Sequence, residues 1–293
     1  MTHQETIHVP GHTTTSHPLD EAVALHALTG DAQIVRRYVG QTHPGYDNMV
    51  GPYGGITAAQ ALAAVMSHPQ RLGEPIAFTG NYAVALADGP FEVEAEPVRT
   101  NRSTQHWVIR ITQTGADGAS AVVFTATAVT AARRQTWSTH DVPMPKELPA
   151  PEAVARPAQG AMGVAWLSRY DIRHIAGTFP GAWDGREADS RTLQWMCDEP
   201  PRPLDFLSLT ALSDLFFPRV WRRRAKRTPI GTVSITIYYH ASAADLAVVG
   251  TDYLLGQASG QSFFNGFFDQ SACIWRRDGR LLVTTHQIVY YKE

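Results

Sequence analysis

Phe206-Leu207-Ser208-Leu209-Thr210-Ala211-Leu212-Ser213-Asp214-Leu215-Phe216-Phe217 is the stretch on which the fold turns. Asp205 before it suits a helix N-cap and Pro218 after it closes the run, so the pattern predicts a helix over 205–217. A helix lying on the outside of a domain shows one apolar stripe and a polar face opposite. Here apolar residues cover nearly the whole circumference. Residues 56–66, which follow the glycine loop Gly51-Pro52-Tyr53-Gly54-Gly55, have the same character and depart from it only at Thr57 and Gln60. Two helices of this kind have to be enclosed.

What could enclose them lies downstream of each. After the first come β-like runs at 75–87, 91–100, 104–114 and 119–131; after the second, at 232–240, 246–256, 262–276 and 280–291. Asp117-Gly118 and Asp278-Gly279 are hairpin turn signals at matching places, and Ala87-Asp88 and Ala244-Asp245 mark a second pair. Further extended runs occupy 32–42 before the first helix, and 166–175 and 192–197 before the second. Between the repeats, 138–160 carries Pro143, Pro145, Pro149, Pro151 and Pro157, which no helix or central strand accepts. The chain therefore divides into a polar tail (1–20), a first unit (21–137), a linker (138–160) and a second unit (161–293). Each unit reads as one helix followed by a four-stranded antiparallel meander, an α+β class. A curved antiparallel sheet wrapped around a single helix is the hot-dog fold. Two in one chain, paired edge to edge, make a double hot-dog.

Composition narrows the function. With 44% hydrophobic and 18% charged residues among 293, there is material for a large core and no sign of disorder. A net charge of -2 gives no global attraction to nucleic acid or to anionic membrane. No run approaches the roughly 18 apolar residues of a membrane span, and residues 1–18 lack a secretory pattern. Cys197 and Cys273 are too few for a disulfide framework, so the expected compartment is the cytoplasm. His3, His8, His12 and His17 recur at metal-like intervals without acidic or cysteine partners, and no metal site is expected there. Serine-hydrolase elbows, phosphate-binding loops, dinucleotide fingerprints and Cys-x-x-Cys pairs are all missing.

If the helices are enclosed, their polar residues become informative. Asp214 is the only ionisable residue of its helix beyond the cap. Burying a carboxylate is costly unless hydrogen bonds offset it, so it has either a function or an exit to solvent in the last turn. Thr232 begins the next β-like run, alternating with Ser234, Thr236 and Tyr238, and strand propensity alone explains it. Gln287 shares its parity with Leu281, Val283, Thr285 and Val289, so an amide stands on a mostly apolar face.

These residues carry a resemblance. Gly54-Gly55-Ile56-Thr57-Ala58-Ala59-Gln60-Ala61-Leu62 is similar to a Gly-Gly-x-x-x-x-Gln-Ala-Leu segment of the acyl-CoA thioesterase II (TesB-like) family. Asn101-Arg102-Ser103, Leu212-Ser213-Asp214, the run from Thr232 to His240, and Asp278-Gly279 through Thr284-Thr285-His286-Gln287 resemble the family as well. The likeness covers nearly everything from about residue 32 onward except the linker. Family members use an Asp, a Thr or Ser, and a Gln to bind and activate water, which the resemblance carries onto Asp214, Thr232 and Gln287. It implies hydrolysis of an acyl-CoA substrate without a cofactor, Asp214 acting as general base, and a homo-oligomer. Gly54 and Gly55 then either present oxyanion-binding N–H groups with Gln60 nearby or simply make a tight turn. Arg222, Arg223 and Arg224 either grip CoA phosphates or form a solvated basic loop; Phe263, Phe264, Phe267 and Phe268 either line an acyl channel or are core. Gly80-Asn81-Tyr82 departs from the family's strand after the helix, which leaves acyl preference open. Two alternatives remain: a non-catalytic acyl-binding protein, and a hydratase or dehydratase, which wants an Asp–His pair on the enclosed helix. His174, His240 and His286 are not on it.

Overall fold

The computed structural model describes residues 16–30, 32–157 and 163–293. The first half contains α1 (Pro18–Ala22), β1 (His26–Ala27), β2 (Arg36–Gln41), α2 (Gly54–Met66), β3 (Glu74–Tyr82), β4 (Pro90–Thr100), β5 (Thr104–Thr114) and β6 (Ser120–Ala131). The second contains β7 (Tyr170–Ala176), β8 (Thr192–Asp198), α3 (Phe206–Leu212), α4 (Arg219–Arg224), β9 (Ile230–Tyr239), α5 (Ala243–Val249), β10 (Leu254–Ser259), β11 (Phe263–Phe264), β12 (Phe267–Arg276) and β13 (Leu281–Tyr291). All strands join one antiparallel sheet in the order β1-β2-β4-β5-β6-β3-β9-β13-β12-β10-β8-β7, with β11 paired to β12. The expected meander is thus corrected in one respect. The strand that follows each long buried helix, β3 or β9, returns beside the last strand of its unit, β6 or β13.

Both helices are enclosed as their composition demands. Every residue of α2 from Gly55 to Val65 is buried, and its five alanines let sheet and helix approach closely. Fully burying a side chain such as Ile56 or Leu62 stabilises the fold by roughly 1.5–3 kcal/mol. Asp205 caps α3, accepting from the Ser208 N–H at 2.8 Å, but the helix ends at Leu212 and not near Phe217. Two hydroxyls compete for its carbonyls: Thr210 donates to the Phe206 C=O and Ser213 to the Leu209 C=O. Pro218 then disfavours helical geometry at Phe217. A second departure is α5, which occupies the start of the run expected as a strand at 246–256. Ser242 and Asp245 form a capping box that fixes it.

The two units are joined by β3 and β9, which run antiparallel with Thr79 opposite Thr236 and their hydroxyls 3.1 Å apart. The architecture is an α+β double hot-dog. Within the stretch expected as a polar tail, α1 begins at Pro18, His17 caps it, and Leu19 is fully buried; His3, His8 and His12 lie outside the described residues. Among the described residues no helix is long and apolar enough to cross a membrane.

Candidate active site

The enclosed helices meet end to end. Gly55 at the start of α2 faces the last turn of α3 so closely that a Cβ there would stand 2.6 Å from the Ala211 carbonyl oxygen, which accepts a 2.8 Å hydrogen bond from the Tyr53 hydroxyl. Asp214 lies two residues beyond α3, in the turn closed by its own N–H on Ala211. Asp214 is half-buried, and its carboxylate opens onto a cavity of about 550 Å³. The Gln287 amide donates to Asp214 Oδ1 at 2.8 Å. The Gly55 N–H supports the same carboxylate at the positive end of α2. Burial still wins over both hydrogen bonds and pushes the Asp214 carboxyl up to about 7.

Gly54 has a steric reason to be glycine. A Cβ at that position would come within 2.8 Å of Asp214 Oδ2 and 3.3 Å of the Tyr82 hydroxyl, which donates to the Gly54 carbonyl. Gly54 therefore lines the cavity, while the Gly55 N–H sits against the carboxylate and helps to hold its pKa down.

Gln287 stands on the buried face of β13 with Val283, Thr285 and Val289, whereas Leu281, beyond a bulge at Leu282, packs on the other face with Trp275. Thr232 reaches the same cavity by a different route. The β9–β13 register passes from Ser234 opposite Ile288 to Thr232 opposite Val289, leaving Val233 as a bulge. Directly paired residues share a face, so the bulge turns Thr232 to the inside with Val289, away from Ser234, Thr236 and Tyr238. Thr232 lines the cavity but makes no hydrogen bond to Asp214 or Gln287.

Other expected residues stand elsewhere. Gln60 does not line the cavity; it is 1% exposed and its amide holds the Ala22 carbonyl at 2.8 Å, tying α1 to α2. Arg222, Arg223 and Arg224 belong to α4, not to a loop. Arg222 donates to the Arg191 and Thr178 carbonyls, Arg223 to Ala188 and Glu187, and Arg224 to Glu293. Of the four phenylalanines only Phe268 lines the cavity; Phe263 stacks on it from behind at 5.9 Å, and Phe264 is 72% exposed. Tyr53, Tyr82 and Gln270, none of them expected from the sequence, also line the cavity. Gln270 shares parity with Phe268, Ala272 and Ile274 on the buried face of β12, the same signal that singled out Gln287.

Of the histidines, His174 borders the cavity from β7, where burial and the Arg219 and Arg222 charges lower its pKa to about 4. It makes no hydrogen bond to Asp214. His240 bonds Thr284, and His286 faces Asp269. The Asp–His pair of a dehydratase is therefore not assembled among the described residues.

Fold and site define a double hot-dog protein with a half-buried carboxylate, held by an amide, at the wall of an apolar cavity. Residues 140–291 match the acyl-CoA thioesterase C-terminal domain, and residues 42–131 match the acyl-CoA thioesterase N-terminal domain. The chain belongs to the acyl-CoA thioesterase family. Among solved structures, it is similar to a conserved hot-dog protein of unknown function from Alicyclobacillus acidocaldarius, with 45% identity over 95% of this chain and 99% of that one and a TM-score of 0.85. It shares its fold with the tesB protein of Mycobacterium avium subsp. paratuberculosis (20% identity, 95% and 100% of the chains, TM-score 0.74). The same holds for the acyl-CoA thioesterase II TesB2 of Mycobacterium marinum (18% identity, 94% and 98%, TM-score 0.69). No curated protein sequence matches the chain.

Proposed function

We propose that the protein hydrolyses acyl-CoA thioesters to the free acid and CoA, using a water activated by Asp214 and oriented by Thr232 and Gln287. The observation that carries this reading is the Asp214–Gln287 pair, 2.8 Å apart at the wall of the 550 Å³ cavity. A cavity of that size lies within the roughly 300–1,000 Å³ usual for small-molecule sites. Membership of the acyl-CoA thioesterase family supplies the substrate class.

A thioester carbonyl is electrophilic enough for direct attack by a held water. The water oxygen forms the bond to the carbonyl carbon while its proton passes to Asp214, and the carbonyl electron pair moves onto oxygen. Collapse of that oxyanion breaks the C–S bond. The departing CoA sulfur takes the proton from Asp214, which returns to carboxylate. Gln287 Nε2 is committed to Asp214, so its carbonyl oxygen is left to accept from the water, and the Thr232 hydroxyl fixes the approach. A carboxylate with a pKa of about 7 is a far better proton acceptor than an exposed aspartate and is still half ionised at neutral pH. The guanidinium groups of Arg222, Arg223 and Arg224 are engaged with main-chain carbonyls and with Glu187 and Glu293, and the hydrolytic step makes no use of them.

Release of free thiol from a panel of acyl-CoAs tests the reading, with wild type and Asp214→Asn side by side. Expected is turnover by wild type and a loss of about 10²–10⁴-fold in the variant. Wild type that releases no thiol from any chain length leaves only an acyl-binding protein.

A further inference from the structure

A thioesterase site built from these three residues lacks one component. The oxyanion needs a donor, and the Gly55 N–H at the start of α2 is already turned to Asp214. Gln270 supplies the missing chemistry. It lies directly opposite Gln287 on the neighbouring strand, and directly opposed residues of antiparallel strands share a face with their Cβ atoms about 5 Å apart. Both side chains line the cavity. Gln270 is 3% exposed, yet its amide forms no hydrogen bond with any described residue, and its polar atoms are not sealed off from the cavity.

An amide in that condition is unusual, because buried polar groups are nearly always paired. Its neighbours show what pairing looks like here. Gln287 is spent on Asp214, and Gln194, also at the cavity wall, is spent on the Leu215 carbonyl at 2.9 Å. Tyr82 donates to Gly54 and Tyr53 to Ala211. Gln270 alone among the cavity amides on this wall keeps both N–H groups free. Across the sheet the order is β9, β13, β12, so Thr232 and Gln270 flank Gln287 from opposite sides. A water held at Thr232 and Gln287 therefore has the unpaired Gln270 amide on the side of Gln287 away from Thr232.

We propose that Gln270 is a catalytic residue whose amide N–H donates to the thioester carbonyl oxygen and stabilises the oxyanion formed on attack. The inference rests on the thioesterase reading of the site. A donor aimed at developing charge strengthens its bond in the transition state, so it raises kcat more than it lowers KM. A side chain that merely shaped the acyl channel would change KM and chain-length preference instead.

The test is steady-state thiol release and thermal unfolding of wild type, Gln270→Leu, Gln270→Met and Thr57→Val. Thr57 is the rival, since its hydroxyl also borders the cavity from α2 without a protein partner. Expected is a fall in kcat of about 100-fold or more for both Gln270 variants, with KM little changed. The midpoint of unfolding is expected to stay equal or rise, because an unpaired buried amide gives way to an apolar group of similar size. That combination of lost turnover and undiminished stability is one a structural role does not produce. Unchanged kcat in Gln270→Leu and Gln270→Met, or a comparable fall in Thr57→Val, overturns the assignment and leaves the thioesterase reading intact. Wild type inactive on every acyl-CoA overturns that reading, and the role of Gln270 with it.

Discussion

The two units meet at Thr79 and Thr236, and counting from that crossing sets each residue of the site beside its counterpart in the other unit. Four residues before Thr236 is Thr232; four before Thr79 is Pro75. Both strands carry a bulge three residues before the crossing, at Val233 and at Ile76, so the backbone device that turns Thr232 inward exists in both units. What differs is what the device presents. Gln287, opposite Ile235, has as its counterpart Ala128, opposite Phe78, and Gln270 has Trp107. Trp107 is 1% exposed, with its indole N–H on Thr130 and its ring edge against His68. One unit has filled with an indole the space that the other keeps open and polar. The same bulged scaffold can hold either a core or a site, and side chains on the sheet's inner face decide which.

Asp214→Asn gives the strongest test of that asymmetry. The first unit offers Pro75, Ala128 and Trp107 in place of the hydroxyl and the two amides, so it holds no second centre to sustain turnover. Thiol release is expected to fall by about 10²–10⁴-fold, measured against a no-enzyme blank. Residual activity near half that of wild type would mean two working sites and would break the comparison.

Trp107→Ala tests it from the other side. If Trp107 is core, removing it leaves a cavity and costs roughly 3–5 kcal/mol of stability, read by chemical denaturation. Turnover at temperatures where the variant stays folded is expected to be unchanged. A variant that keeps its stability, or loses activity while folded, would show that the first unit takes part in the chemistry.

Much of this was legible in the sequence, and the misses have physical causes. The enclosed helices were visible because nothing on them could face water, and Asp214 stood out for the same reason. The parity of Gln287 was readable because β13 is regular from Val283 to Val289, although a bulge at Leu282 sets Leu281 on the other face. Period-two counting groups Thr232 with Ser234, Thr236 and Tyr238, but the bulge at Val233 breaks that count, and no residue type there announces it. α5 was missed although Ser242 and Asp245 form a capping box, because the apolar run from Leu246 suited a strand equally well. Gln60 looked like a site residue on an enclosed helix and proved to be a strut between α1 and α2. Gln270 carries the same parity signal as Gln287, but Phe267 and Phe268 beside it make bulk the stronger signal of that strand.

A smaller effect follows from the charge of Asp214 itself. Its carboxyl is raised from the usual value near 4 to about 7, so stability it contributes below pH 4 is lost as pH climbs toward 7. The unfolded chain ionises first, and the folded one resists until about pH 7. Asn has no such cost. Asp214→Asn is therefore expected to match wild type near pH 4 and to exceed it above pH 7 by up to about 4 kcal/mol, because a tenfold change in acidity corresponds to about 1.4 kcal/mol. Unfolding midpoints across that range check the sign. His68, two residues past the end of α2, titrates with the opposite sign, because burial lowers its pKa and its contribution is lost as pH falls.

The least drastic change concerns the bulge. Thr232→Val keeps shape and strand propensity and removes only the hydroxyl that the bulge turns inward. One orienting hydrogen bond is worth roughly 0.5–1.5 kcal/mol, or about 3–10-fold in kcat/KM. Thr232→Ser restores the oxygen and is expected to return most of that loss, whereas Val at Ser234, on the outer face, is expected to change nothing. Were Ser234→Val the more damaging of the two, parity rather than the bulge would govern which residue of β9 reaches the water. The inner faces of the two units would then differ less than their registers indicate.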